Sequence, residues 1–171
     1  MGLTPTRGRI VIITGGRGAG KTRLCLRLAE RARAYGWRVA GAACPAVFQA
    51  GEKTGIVVQD LRSGETRRLA QRLTPGSAAQ VRTEGWAFDP DGLDWGNRLF
   101  ASAAPCDLLV LDELGPLELV RGEGWQAALE ALAQGGYCLA LVVVRPELLD
   151  VLPAAWHIQR VVDLDCQPAG D

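Results

Sequence analysis

The chain has 171 residues, of which 48% are hydrophobic, enough for one globular domain with a full core and too few for two. Its formal net charge is zero, and its longest apolar run, residues 138–144, is far shorter than the roughly 20 residues that cross a bilayer. We therefore expect a single domain over residues 1–171, without a membrane segment or a signal core, located in the cytoplasm.

The first elements form a strand, a loop and a helix. Residues 9–14 are apolar and β-branched, which predicts a buried strand. In residues 21–35 apolar side chains recur every four positions, which predicts a helix that ends at Gly36. Residues 37–43 predict a second strand.

A β-hairpin is predicted next. Residues 54–61 and 66–69 flank the sequence RSGE, which carries a Ser-Gly turn signal. Residues 71–90 are rich in Gly, Pro and Thr, so we expect mostly loop there, with a short strand at 86–88. The hairpin therefore interrupts the alternation of strands and helices.

The second half of the chain returns to that alternation. Strands are predicted over residues 106–115, 137–144 and 158–164, the last at an edge, and helices over residues 91–103 with Asp91 as the cap, around residues 125–134, and from Pro146. Alternating strands and helices favour a mostly parallel sheet with helices on both faces. The expected fold class is therefore a three-layer α/β fold with an inserted β-hairpin.

A glycine-rich octet, GGRGAGKT, lies between the first strand and the first helix. It matches G-x-x-x-x-G-K-[ST] at every fixed position and has the strand–helix context that this motif requires. Glycines let successive backbone N–H groups point inward, and the helix N-terminus adds positive potential, so the octet predicts a phosphate-binding loop. Lys21 would reach the β- and γ-phosphates, and the Thr22 hydroxyl would bind Mg²⁺. The residues expected to contact the nucleotide are Gly15, Gly16, Arg17, Gly18, Ala19, Gly20, Lys21, Thr22 and Arg23.

Arginines accompany this loop. Arg17 either contacts the phosphates or faces solvent, and the sequence leaves both open. Arg23, Arg27 and Arg31 form a stripe at four-residue spacing on the helix. A solvated helix face explains the stripe better than a nucleic-acid contact, because the net charge is zero and no nucleic-acid module is recognisable. We therefore expect no nucleic-acid partner.

Two adjacent acids end the strand in LLVLDELG. Asp112 would hold Mg²⁺, and Glu113 would orient and deprotonate an attacking water. An acid directly after Asp112 has no evident packing role at a strand tip, which favours this chemistry over two solvated carboxylates.

The same stretch, DELG, also matches the D-x-x-G element of small GTPases. Their guanine-specificity element, Asn/Thr-Lys-x-Asp, requires a lysine, and outside the loop the only lysine is Lys53. Glu52 precedes it and Gly55 stands at the Asp position, so we do not expect a guanine-specific switch.

A glutamate after the magnesium aspartate is typical of phosphate-loop hydrolases with a further strand between the loop strand and the acidic strand. Residues 137–144 are the candidate for that middle strand. Its tip would carry Arg145 beside the γ-phosphate, where it could neutralise transition-state charge. An exposed arginine before Pro146 is the equally open alternative.

These residues together resemble a known family. The sequence GGRGAGKT, the sequence LVLDELGPLEL about ninety residues later, and the hairpin between them are similar to the small cancer-related nucleoside-triphosphatases of bacteria, archaea and animals. The most specific piece, DELGPLE, resembles the family's Asp-Glu-Ile-Gly-Lys-Met-Glu and matches it at Asp112, Glu113, Gly115 and Glu118. Pro116 replaces the family's lysine.

The resemblance implies a phosphate-loop NTPase fold and Mg²⁺-dependent hydrolysis of several nucleoside triphosphates to diphosphate and phosphate, with weak base selectivity. ATP and GTP are the expected substrates, followed by CTP and UTP. By motif position it implies Gly20, Lys21 and Thr22 at the phosphates and the metal, Asp112 at the metal, and Glu113 as the base.

Two other functions stay open. A nucleotide or nucleoside kinase is the first, since arginines in and after the hairpin could form a lid over the phosphates: Arg62, Arg67, Arg68 and Arg72. The second is a nucleotide-binding adaptor without turnover, similar to the accessory GTP-binding proteins of molybdenum-cofactor assembly; Glu113 argues against it. Trp156 and His157 could stack on a base, although packing explains them better.

Overall fold

The structure is a computed structural model that describes residues 8–76, 78–83 and 85–166 of the chain. Within these residues, ten strands join in one sheet. The strands are β1 (Arg9–Thr14), β2 (Val39–Ala43), β3 (Ala46–Gln49), β4 (Glu52–Asp60), β5 (Thr66–Arg72), β6 (Arg82–Thr83), β7 (Trp86–Phe88), β8 (Leu108–Leu114), β9 (Leu139–Val144) and β10 (Ile158–Asp163). The helices are α1 (Lys21–Ala34), α2 (Pro90–Ala101), α3 (Pro116–Leu119) and α4 (Gln126–Gln134), with a 3-10 helix over Pro146–Val151. No helix in these ranges has the length and apolarity that a membrane span needs.

The sheet has a parallel part and an antiparallel part. Strands in the order β10-β1-β9-β8-β2 are parallel to their neighbours. From β2 onward the order continues with β4, β5, β7 and β6, all antiparallel, and β3 pairs with β4. The predicted hairpin is β4 and β5. The antiparallel part is larger than the sequence indicated. Strand β3 pairs with β4, β7 pairs with β5, and β6 pairs with β7.

Helices cover both faces of the sheet, as predicted. Side chains alternate along β8, so that Leu108 and Val110 pack in the same cluster as Cys25 of α1. Leu109 points to the opposite face and packs in the cluster that contains Phe100 of α2. Helix α4 contributes to this second cluster as well. The chain therefore has the predicted three-layer α/β architecture.

Helix α2 begins two residues earlier than the sequence suggested. The Asp89 carboxylate, rather than that of Asp91, caps the helix and accepts a hydrogen bond of 3.1 Å from the Asp91 N–H. Pro90 takes the first helical position, where its missing N–H costs nothing. The helix ends at Ala101, two residues before the predicted end.

A buried carboxylate organises the segment between β8 and α4. Glu118 of α3 is 7% exposed, and its two oxygens accept hydrogen bonds from the N–H groups of Gly115, at 3.0 Å, and Trp125, at 2.9 Å. Trp125 directly precedes α4, and its ring packs against Phe100 with the ring centroids 5.3 Å apart. The sequence did not predict the short helix α3.

Candidate active site

The carboxyl ends of three neighbouring strands form one edge of the sheet. Strand β9 pairs with β1 on one side and with β8 on the other, which confirms the predicted middle strand. The phosphate loop follows β1, the acid pair ends β8, and Arg145 follows β9. In open α/β sheets, ligands bind beyond the carboxyl ends of the strands. The three sequence motifs therefore meet where the fold favours a ligand.

The phosphate loop has the backbone that its glycines permit. Gly15, Gly18 and Gly20 have positive φ angles of 137°, 78° and 90°, and Gly20 is the left-handed N-cap of α1. The Lys21 Nζ donates hydrogen bonds of 2.6 Å to the carbonyl oxygens of Gly15 and Gly16. Because an ammonium group has three hydrogens, one remains for a phosphate oxygen. The loop therefore holds its lysine in position through its own carbonyl oxygens.

Asp112 is fully buried beneath the loop. Its Oδ2 accepts a hydrogen bond of 2.8 Å from the Cys44 N–H, at the end of β2. Its Oδ1 is also buried and forms no hydrogen bond of normal geometry with the described residues, although the Thr22 side chain lies close enough to the carboxylate to interact with it. Burial, followed by repulsion from Glu113, raises the Asp112 pKa to about 6, although the Cys44 N–H and the Thr22 side chain oppose this rise.

The residues around Asp112 fit a magnesium ion. Carboxylate and hydroxyl oxygens are ligands that Mg²⁺ accepts, and Asp112 offers a buried oxygen without a hydrogen bond of normal geometry beside the Thr22 side chain. A cation at this oxygen would satisfy it and offset the cost of burying the carboxylate. The donor set therefore suits a metal ion, and the assignment of Thr22 and Asp112 as its ligands stays a prediction.

A bulge in β8 contains both Asp112 and Glu113. Pairing with β9 runs to Leu111, skips both acids, and resumes at Leu114. Glu113 has a φ of 67°, a left-handed conformation that non-glycine residues seldom adopt. As a result, Asp112 is buried while the half-exposed Glu113 lines the cleft above it. Such strain is often found at functional sites.

The cleft at this edge has a volume of about 540 Å³. It gathers the residues predicted for the site, apart from Ala19, which packs within the loop, and Asp112, which lies beneath the cleft. The predicted residues that line it are Gly15, Gly16, Arg17, Gly18, Gly20, Lys21, Thr22, Arg23, Glu113 and Arg145. Arg145 is half-buried and directly precedes the 3-10 helix.

The arginine lid considered for a kinase does not form. Arg62 donates hydrogen bonds of 3.0 Å and 2.7 Å to the carbonyl oxygens of Ser102 and Ala103, behind α2. Arg67 forms a 3.0 Å ion pair with Glu65 and lies over the Trp95 ring. None of the four arginines named for the lid is among the cleft-lining residues of the described ranges.

Trp156 and His157 lie at the other edge of the sheet. Together with Gly8 and Ile10, which begin the loop strand, they line a separate cavity of about 290 Å³. His157 directly precedes β10, whereas the phosphate loop lies beyond the carboxyl ends of the strands. This position does not fit the weaker alternative, in which the two side chains stack on a nucleotide base, and it agrees with the preferred interpretation, in which they pack.

Several residues at the site were not indicated by any motif. The Asp165 Oδ2 accepts a hydrogen bond of 2.6 Å from the Gly16 N–H. Phe48 and Lys53, from the β3–β4 pair, and Trp86, from β7, also line the cleft. The hairpin was predictable from its turn, but its position over the cleft depends on long-range pairing that local patterns do not encode.

Comparisons with known proteins agree with this arrangement. The model of a family described as NTPase matches residues 10–162. The chain is 33% identical over 107 residues to the nucleoside-triphosphatase THEP1 of Ignicoccus hospitalis, an alignment that covers 63% of this chain and 59% of that protein. It is 29% identical over 134 residues to the nucleoside-triphosphatase THEP1 of Methanosarcina acetivorans, covering 77% of this chain and 74% of that protein.

A solved structure has the same fold. The solution structure of a human cancer-related nucleoside triphosphatase superposes with a TM-score of 0.67, at 24% sequence identity, and covers 91% of this chain and 88% of the human chain.

Proposed function

Because the chain belongs to the NTPase family, whose model matches residues 10–162, we propose that it hydrolyses nucleoside triphosphates to nucleoside diphosphates and phosphate with Mg²⁺. The relatives named nucleoside-triphosphatase support this activity, although the alignment spans only 59% of the Ignicoccus protein. The observation that carries the proposal is that Lys21 and Glu113 line the same cleft. Lys21 is held by two carbonyl oxygens of its own loop, and Glu113 directly follows the buried Asp112.

The loop binds the triphosphate in this proposal. Its backbone N–H groups and the N-terminus of α1 contact phosphate oxygens, and the remaining hydrogen of the Lys21 ammonium reaches the β- and γ-phosphates. Thr22 and Asp112 hold the metal ion, which when bound neutralises charge on the phosphates. Positioning of this kind supplies much of the catalysis in phosphoryl transfer.

Glu113 acts on the attacking water. Its carboxylate lines the cleft, and in this proposal it orients the water and accepts its proton. Arg145 reaches the same cleft from the tip of β9 and stabilises the negative charge that develops on the transferring group. Both roles are part of the proposal.

ATP, GTP, CTP and UTP are all proposed substrates. The sequence lacks the Asn/Thr-Lys-x-Asp element that selects guanine, which supports a broad range. Phosphate contacts are common to all four nucleotides, so a site built mainly around the phosphates discriminates weakly between bases.

The test is phosphate release without any acceptor. Purified protein is incubated with Mg²⁺ and each triphosphate in turn, beside Glu113→Gln and Lys21→Ala. We expect release from several nucleotides, a loss of about 10²- to 10⁴-fold in Glu113→Gln with binding retained, and lost binding in Lys21→Ala. Full activity in Glu113→Gln would refute the role of the base. Binding without release in the unmodified protein would instead favour an adaptor.

A further inference from the structure

The cleft continues beyond the acid pair to three side chains from the antiparallel part of the sheet. Phe48 of β3, Lys53 of β4 and Trp86 of β7 line this end of the cleft, and we call them the outer wall. The Lys53 Nζ lies 5.0 Å from the centroid of the Trp86 ring, and Phe48 is 63% exposed. The outer wall therefore presents two aromatic rings and an ammonium group.

The outer wall lies on the nucleophile side of the site. In the order of the sheet, the loop strand β1 and the wall strands β4 and β7 are on opposite sides of β8, which carries Glu113. In an in-line displacement, the nucleophile approaches the γ-phosphorus from the side opposite the leaving β-phosphate. With a triphosphate in the loop, the nucleophile therefore enters from the side of the outer wall.

The cleft extends past the part that the phosphate loop lines. Its volume of about 540 Å³, which includes the space for the triphosphate, is typical of sites for small molecules. A further cavity of about 30 Å³, lined by Trp86, Glu113 and Arg145, adjoins it. A triphosphate bound by the loop would lie at the loop end of the cleft, and the other end is lined by the outer wall.

The chemistry of the outer wall suits a planar molecule. Aromatic side chains stack on ring systems, and one such contact is worth about 1–3 kcal/mol when the ring is a nucleobase. The chain has only two lysines, Lys21 and Lys53, and both line this cleft. Glu113 can accept a proton from an alcohol as readily as from water, since both are hydroxyl nucleophiles.

We propose that the outer wall binds a second substrate, a ring-bearing alcohol of the nucleoside class, whose hydroxyl accepts the γ-phosphoryl group in place of water. The hydroxyl gives its proton to Glu113, and its oxygen forms a bond to the γ-phosphorus. The bond between that phosphorus and the β–γ bridging oxygen breaks, and the nucleoside diphosphate leaves with the electron pair. The products are a nucleoside diphosphate and a phosphate monoester. This inference rests on the proposed function, because it uses the same loop and base.

Binding is tested first, by calorimetric titration of the full chain loaded with Mg²⁺ and ADP. The probes are adenosine, guanosine, cytidine, uridine and thymidine. We expect at least one nucleoside to bind, with affinity at least tenfold lower in Trp86→Ala and in Phe48→Ala. Trp37→Ala is the matched control, because Trp37 is 41% exposed and precedes β2 at the opposite edge of the sheet. Phe48 is a surface side chain, so its variant decides the question if Trp86→Ala does not fold.

Transfer is tested next, with ATP, Mg²⁺ and the same nucleosides, by phosphorus NMR of the products. Formation of a nucleoside monophosphate supports the inference, even if release to water is absent and the proposed hydrolysis fails. Phosphate release with no nucleoside bound or phosphorylated overturns the inference and leaves the proposed function intact. Weaker ADP binding in Phe48→Ala or Trp86→Ala also overturns it, because the outer wall would then contact the nucleotide already in the loop.

Discussion

The Asp165 carboxylate accepts a hydrogen bond of 2.6 Å from the Gly16 N–H, although 149 positions separate the two residues. Strand β10 brings them together, because it runs parallel to β1 and ends beside the phosphate loop. The turn after β10 is itself ordered by the Asp163 carboxylate, which accepts a hydrogen bond from the Asp165 N–H at 3.0 Å. A residue outside the glycine-rich octet, Asp165, therefore helps to hold the first half of the phosphate loop in place.

Asp165→Ala should weaken nucleotide binding by about ten- to a hundredfold and leave the turnover number nearly unchanged, because a hydrogen bond to a charged group contributes about 1.5–3 kcal/mol. Asp165→Asn should retain most of the affinity, since its amide oxygen can accept the same bond. Titration with a fluorescent nucleotide measures both. Asp94→Ala, at an exposed site on α2, is the control. Equal affinity in all four proteins would show that the contact does not order the loop.

Asp112→Asn should abolish the response to Mg²⁺ without unfolding the protein. The amide oxygen can still accept the Cys44 N–H, and the buried charge is removed, so the metal-free variant should melt at the same temperature or higher. Calorimetry with and without Mg²⁺ and nucleotide measures the change. We expect Mg²⁺ to raise the melting temperature beyond the effect of the nucleotide alone in the unmodified chain only. A variant that Mg²⁺ and nucleotide stabilise as much as the parent would exclude Asp112 as a ligand.

Glu113→Gly should stabilise the fold by up to about 1 kcal/mol relative to Glu113→Gln while both lose turnover. Glycine adopts the left-handed conformation at φ 67° without the steric cost that a side chain incurs, and both variants remove the same repulsion toward Asp112. Urea denaturation compares the free energies of unfolding of the two variants. If the glycine variant is the less stable, then the bulge does not store conformational strain.

Glu118→Ala should destabilise the protein by about 2–4 kcal/mol, because it leaves the N–H groups of Gly115 and Trp125 without partners in the interior. Urea denaturation again measures this loss. Glu118→Gln keeps one acceptor and should lose less.

The stability contribution of Glu118 should also depend on pH. Burial raises its pKa above the ordinary value of 4.5, so folding favours the protonated carboxyl. The contribution is therefore fully present below pH 4.5 and is lost as the pH rises through the higher folded value. The parent should gain stability relative to Glu118→Gln as the pH falls from neutral toward 4.5. A difference that is constant over this range would contradict the raised pKa.

Arg145→Ala should reduce phosphate release by about 10²- to 10³-fold, with a smaller change in the Michaelis constant, because the proposed contact strengthens in the transition state. Arg27→Ala, on the exposed face of α1, is the matched control. Steady-state kinetics on both variants decides whether Arg145 neutralises transition-state charge or is only an exposed arginine before Pro146, the two interpretations that the sequence left open. Unchanged kinetics in Arg145→Ala would mean that the arginine only precedes the 3-10 helix at the surface.

The central part of the fold could be predicted because its signals are local. The loop octet, its flanking strand and helix, and the acidic end of β8 each carry a pattern within fifteen residues. The position of β9 between β1 and β8 was predicted from the adjacent acids and is confirmed. The family and the three-layer α/β architecture follow from the same motifs.

The remaining parts depend on contacts between distant residues. Strand β3 has four residues, most of them exposed, so it has no apolar alternation to detect. The Cys44 N–H belongs to the site only through its hydrogen bond to Asp112, which is 68 positions away in the chain. The Asp165 carboxylate belongs to it only through its hydrogen bond from Gly16, which is 149 positions away. Trp86 lies in a strand that was predicted, but its place over the cleft requires the pairing of β7 with β5.

The central position of β9 also has a consequence for the order of assembly during synthesis. Both of its neighbours, β1 and β8, leave the ribosome before it does, yet they cannot take up their native spacing until residues 139–144 enter between them. In a nascent chain that already contains the loop and both acids, these residues therefore do not yet have their native positions relative to one another. We therefore expect the proposed triphosphate binding to arise only after β9 has entered the sheet, once the core is complete.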